Sequence, residues 1–109
     1  MKIQQLRNDN KRKTLDITKC LKHTINHLIN RNNTLEHELL KMEIATRLAY
    51  EGNEVYVEAK TLNNRNIIDV YVSDTDTAYE IAVTETKKRF NAKNLPCRKV
   101  LVQSHSRGF

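Results

Sequence analysis

The sequence predicts an α/β fold of the mixed, α+β kind: a helix, three strands joined by short turns, a second helix and a fourth strand. Three observations carry this reading. Apolar residues recur at helical spacing through residues 35–48. The period switches to two from residue 54 onward. A short polar helical pattern, closed by Pro96, then separates the third strand pattern from the last. With 109 residues the chain suits one domain with a modest core.

Residues 1–14 are polar and read as frayed or partly helical. In "LDITKCLKHTINHLIN", residues 15–30, Ile17, Leu21, Ile25, Leu28 and Ile29 fall at helical spacing with Lys19, Lys22 and the histidines on the other side. That pattern predicts a basic amphipathic helix, ended by "NRNN". The expected division is a basic arm and helix over 1–33 and a core domain over 34–109.

The first core helix starts after Asn33 or Thr34, either of which can cap it, and Glu36 lies in the first turn where the helix dipole favours a carboxylate. Leu35, Leu39 and Met42 form one stripe and Leu40, Ile44 and Leu48 its neighbour, predicting a wide buried face. Gly52 with Asn53 predicts its stop. "EVYVEAK", "IIDVYVS" and "AYEIAVTE" are rich in Val, Ile and Tyr and predict strands over 54–60, 67–73 and 78–85. Their short links imply antiparallel neighbours. Asp74 and Asp76 read as a plain turn between two of these strands. "TETKKRFNAKN" predicts a helix over 84–94, and "KVLVQS" a last strand over 99–104, joined parallel to the third through that helix.

The net charge is +6, and it is unevenly placed. Residues 1–33 hold Lys2, Arg7, Lys11, Arg12, Lys13, Lys19, Lys22 and Arg31 against Asp9 and Asp16, while the remainder is balanced. A basic segment favours polyanions, because each phosphate neutralised releases counterions. Lys11, Arg12, Lys13, Lys19, Lys22 and Arg31 are therefore the candidate nucleic-acid contacts. No apolar run approaches the roughly 18 residues of a membrane span, and "MKIQQLRNDNKRK" has no apolar core of a signal peptide. The expected location is the cytoplasm, of a host cell if the source is viral or plasmid-borne. Cys20 and Cys97 read as free thiols.

Two acids interrupt the apolar strands: Asp69 in "IIDVYV" and Glu80 in "YEIAVTET". Alternation puts Ile68, Val70 and Val72 on one side of their strand and Ile67, Asp69 and Tyr71 on the other. A hairpin near 74–77 can bring Asp69 and Glu80 onto one face. Neighbouring, partly buried carboxylates repel, and a divalent cation relieves that conflict. Oxygen donors of this kind suit Mg²⁺ or Mn²⁺.

The order of elements, with acids at these places, resembles the PD-(D/E)XK (restriction-endonuclease-like) nuclease core, most closely the archaeal Holliday-junction-resolvase type. "TLEHELLKMEIATRLAYEGNEV" is similar to that group's first core helix, "IIDVYV" to its metal-binding strand and "YEIAVTE" to its E-x-K strand. The resemblance covers roughly residues 34–103. It implies Glu36 as the helix acid, Asp69 and Glu80 as ligands of Mg²⁺ or Mn²⁺, and DNA, branched or single-stranded, as substrate. Two positions depart from the pattern. Ile68 stands where the family has proline, and Ala82 where it has the catalytic lysine. Lys60, in "EAK" on the first strand, is the first candidate replacement, ahead of Lys87, Lys88 and Lys41. The alternative expectation is a nuclease-fold protein that has lost chemistry and only binds nucleic acid. The small core favours a homodimer.

Overall fold

The computed structural model describes residues 2–17, 20, 29–63, 65–82 and 94–103. Two helices, α1 (Ile3–Thr14) and α2 (Leu35–Tyr50), accompany four strands: β1 (Val55–Lys60), β2 (Ile67–Val72), β3 (Thr77–Ala82) and β4 (Arg98–Gln103). The strands form one mixed sheet in the order β1-β2-β3-β4. The first three run antiparallel, and β4 lies parallel to β3 with all six β3 residues in register, Thr77 opposite Arg98 through Ala82 opposite Gln103. The α+β architecture, three-strand meander and parallel fourth strand agree with the sequence expectation. The helix expected over 84–94 falls almost entirely outside the described residues.

α2 forms where the sequence placed it. Thr34 caps it, its hydroxyl accepting from the His37 amide at 3.1 Å. Gly52 ends it at φ +98°, a left-handed conformation that glycine adopts without a Cβ penalty. Its inner face lays Ile44, Ala45, Leu48 and Ala49 on Val55, Val57, Val70 and Val72. Each of those valines is at most 2% exposed. Burying one such side chain stabilises by roughly 1.5–3 kcal/mol, so this contact anchors the helix. Only one of the two expected stripes is used in this way. Leu35 and Leu39 remain 75% and 56% exposed, while the charged Glu38 and Lys41 point inward instead.

The opposite sheet face gathers Leu15, Tyr56, Ala59, Ile68, Tyr71 and Ala78, with Cys20, Leu95 and Cys97 against them. Leu15 reaches this core because the chain is extended there and bridges Thr61. The helix expected to begin at Leu15 therefore does not: among the described residues the helix precedes Leu15, and residues 18, 19 and 21–28 lie outside the description.

α1 has a docking face that hydropathy does not reveal. Arg7, Asn10, Lys11 and Thr14 follow helical spacing and turn toward the sheet, while Ile3 and Leu6 stay exposed. Arg7 donates from Nε and Nη2 to the two carboxylate oxygens of Asp74, at 3.1 and 3.0 Å. Asn10 donates to the Ser73 carbonyl at 2.7 Å. Lys11 lies 3.0 Å from Glu54 and donates to the Tyr56 hydroxyl. Thr14 and Tyr71 both donate to Asp76 Oδ1. The aspartates of the β2–β3 turn are thus the anchor points of the N-terminal helix, and residues 3–17 are part of the packed body.

Candidate functional site

Strict alternation fails on β1 and β2 at one point. Val57 belongs to the α2 face, yet Ala59 belongs to the other; Val70 and Ile68 are divided in the same way. Between them stand Glu58 and Asp69, and the β1–β2 ladder pairs the residues on either side of them. Glu58 has φ +53°, a left-handed conformation that costs a non-glycine residue roughly 1–2 kcal/mol. The kink breaks the alternation that the sequence predicted for Ile68, Asp69 and Val70. Both Glu58 and Asp69 thereby meet side chains of α2.

The β2–β3 ladder stops at the same level. Its last pair is Val70 with Tyr79, although β2 extends back to Ile67 and β3 forward to Ala82. Beyond that pair the two acids do the work of the ladder. Glu80 Oε2 accepts from the Asp69 amide at 3.1 Å, and Asp69 Oδ2 accepts from the Ile81 amide at 2.8 Å. Asp69 and Glu80 are therefore brought together, as the sequence led us to expect. Each satisfies a backbone donor on the other's strand, which a buried amide requires.

α2 completes the cluster. Lys41, fully buried, donates to Glu38 Oε1 at 2.6 Å and to Glu58 Oε2 at 3.2 Å. His37 lies with Nδ1 2.9 Å from Glu38 and Nε2 3.6 Å from Asp69. The Asp69 carboxylate, followed by Glu38, raises the His37 pKa against the opposing effect of partial burial. Burial alone would raise the pKa of Glu38. Hydrogen bonds from Lys41, the Asn30 amide, His37 and Asn33 outweigh it and bring Glu38 down to about 2. A continuous polar chain thus runs from Glu58 through Lys41, Glu38 and His37 to Asp69.

The remaining expected residues are placed elsewhere. Glu36 is exposed on the outer side of α2, and the inward carboxylate of that helix is Glu38, two residues on. Lys60 is exposed beyond the kink, at the end of β1. Ala82 is 2% exposed and leaves no cation at its position. Lys87 and Lys88 lie outside the described residues. Of the proposed replacement lysines, Lys41 is the one held within the cluster among the described residues. Lys11 is engaged with Glu54 and Tyr56, its side chain 13% exposed, whereas Arg12, Lys13 and Arg31 are exposed. Lys19 and Lys22 lie outside the described residues.

Glu38 was missed as a site residue, and Lys41 and Glu58 stood only as lesser candidates, although a signal for Glu38 and Lys41 was present. Glu38 and Lys41 are in phase with Ala45 and Leu48, so two opposite charges occupy the inner stripe of α2. A charge pair on an inward stripe is a costly choice that needs partners. Among the described residues, no group of three or more His, Cys, Asp or Glu stands in an arrangement able to hold a metal ion. Glu38 and Glu58 are tied to Lys41, which leaves Asp69 and Glu80 as a pair of carboxylates, each also receiving a backbone amide. Nor is any helix among the described residues long and apolar enough to cross a membrane. No family model, curated protein or solved structure matches the chain.

Proposed function

We propose that the chain is a restriction-endonuclease-like nuclease that cleaves DNA phosphodiester bonds with Mg²⁺ or Mn²⁺ held by Asp69 and Glu80. One observation carries the reading. Carboxylates from two adjacent strands meet where their ladder opens, beside a backbone kink that stores strain. The donor chemistry fits, since Mg²⁺ is commonly bound through one or two carboxylates together with substrate phosphates. When bound, such an ion would supply a water acidic enough to attack a phosphodiester. The protein's own residues set the frame. Lys41 holds Glu38 and Glu58 in place, His37 bridges that pair to Asp69, and the amides of Asp69 and Ile81 fix the two ligands. The test is cleavage of branched and single-stranded DNA with and without Mn²⁺. Wild type is expected to cut only with the metal and Asp69→Asn not at all; equal cleavage by both would reject the assignment.

A second reading is favoured by the buried Ala82 at the position of the family's lysine. On it the same scaffold binds nucleic acid without cutting. It is distinguished by salt-sensitive DNA binding that persists in Asp69→Asn, with no metal-dependent cleavage by either protein.

A further inference from the structure

The turn that precedes α2 is fastened to the acid cluster rather than to its own neighbours alone. The Asn30 amide donates to Glu38 Oε1 at 2.7 Å, and the Asn30 side chain donates to Glu58 Oε1 at 3.2 Å. Asn33 donates from its side chain to Glu38 Oε2 at 3.0 Å. Within the turn, the Asn32 amide donates to Asn30 Oδ1 and the Asn33 amide to the Asn30 carbonyl. Five hydrogen bonds thus set the conformation of residues 30–33 and seat it on the carboxylates of buried Glu38 and half-buried Glu58. Arg31 occupies the exposed tip.

Its situation differs from that of the basic residues of α1. Arg7 and Lys11 are bound to Asp74 and Glu54 and fasten α1 to the sheet. Arg12 and Lys13 are exposed but lie 4.0 and 3.6 Å from Asp9 and Asp76. Among the described residues, Arg31 meets no carboxylate at ion-pair distance, and its backbone is anchored at the site itself. An anionic backbone that approaches Asp69 and Glu80 meets repulsion from the acids. A guanidinium carried by a turn anchored on Glu38 and Glu58 of the same cluster offsets it and offers paired donors to a phosphate.

We infer that Arg31, presented by the anchored 30–33 turn, contacts a backbone phosphate of the nucleic acid beside the acid cluster and positions the strand there. The inference rests on the nucleic-acid reading above, in either of its forms, and replaces a diffuse basic arm with one positioned contact.

The experiment is fluorescence anisotropy with labelled single-stranded and four-way-junction DNA, in EDTA, over a salt series. Arg31→Ala is expected to weaken binding roughly five- to tenfold and to lower the salt slope by about 0.7 on single strands. Arg31→Lys retains the slope and recovers part of the affinity, because the charge remains but the paired donors do not. Asn30→Ala removes no charge, yet weakens binding in the same direction by releasing the turn. Arg12→Ala, with the same charge loss on α1, changes affinity less than twofold.

Wild-type affinity and slope in Arg31→Ala overturn the inference, as does an equal loss in Arg12→Ala or the absence of binding by wild type. Wild-type affinity in Asn30→Ala overturns the role of the anchored turn. The nuclease reading is judged separately, by metal-dependent cleavage in wild type and Asp69→Asn. If that cleavage is lost on substitution while Arg31→Ala binds normally, the arginine alone is refuted. If Arg31→Ala binds weakly and no protein cuts, the arginine stands and the nuclease reading falls.

Discussion

Both helices are fastened to the same sheet by charged side chains, but the two fastenings differ in balance. Under α1, each main partner has its opposite: Arg7 with Asp74, Lys11 with Glu54, and Asp76 with Thr14, Tyr71 and Lys13. Asp76 has a positive φ of 50°, but it lies in the β2–β3 turn, where an aspartate adopts that conformation readily. Under α2, Glu38, Glu58, Asp69 and Glu80 converge with Lys41 and His37 as the basic groups among the described residues. Glu58 is also held in a left-handed conformation. Paired charges that dock a helix are explained by docking. Carboxylates gathered around a strand residue in a left-handed conformation are not explained by docking alone, and such strain concentrates where a protein acts on a ligand.

The contrast can be broken most sharply at the two lysines. Removing Lys41 leaves buried Glu38 and half-buried Glu58 without their shared cation, so Lys41→Met is expected to cost about 3–5 kcal/mol in urea unfolding. Lys11→Met removes a partner from Glu54, which keeps its hydrogen bond from Ser73, and is expected to cost about 2 kcal/mol. Equal costs would mean that the two networks do not differ as described.

Carboxyls of both networks are lowered, Glu54 and Asp74 under α1 and Glu38 under α2, and Glu38 is lowered far enough to carry a large acid-dependent share of stability. Glu38 titrates at about 2 in the folded protein against an ordinary value of 4.5. A lowered carboxyl pKa adds stability that is fully present above pH 4.5 and is lost as pH falls toward 2, by about 3 kcal/mol in total. Glu38→Gln is expected to flatten the stability–pH curve across that window. His37 acts in the opposite sense: its raised pKa adds stability at low pH that is lost as pH rises through the folded value. A curve for Glu38→Gln as steep as that of wild type below pH 4.5 would place the acid sensitivity elsewhere.

The smallest effect isolates the kink. Glu58→Gly and Glu58→Ala both lose the contact with Lys41, but only glycine relaxes the left-handed backbone. The glycine variant is expected to be the more stable of the two by about 1 kcal/mol. No difference, or a more stable alanine variant, would show that residue 58 carries no strain.

The sheet was legible in the sequence because its signals are local. Val, Ile and Tyr at a period of two, with short polar links, define β1 to β3, and Thr34 and Gly52 bound α2 by capping chemistry. α1 was not legible as a docked helix, because its inward face is Arg7, Asn10, Lys11 and Thr14, and hydropathy places such residues in solvent. The meeting of Asp69 and Glu80 in the candidate site was legible, since both stand out against apolar strands. The kink at Glu58 was not, because it depends on a single left-handed φ that no pattern of residue types announces. The choice of Glu38 over Glu36 turned on helix phase: only the former shares the stripe of Ala45 and Leu48.

The proposed divalent-cation site at Asp69 and Glu80 can be observed through Mn²⁺ binding followed by electron paramagnetic resonance. Asn at position 69 still accepts the Ile81 amide through its side-chain oxygen, and Gln at position 80 still accepts the Asp69 amide, so both variants keep the backbone fastening. Wild type is expected to bind one Mn²⁺, with affinity reduced at least tenfold in Asp69→Asn and in Glu80→Gln while melting temperatures stay within a few degrees. Mn²⁺ binding that is absent in wild type, or unchanged in both variants, would contradict the account.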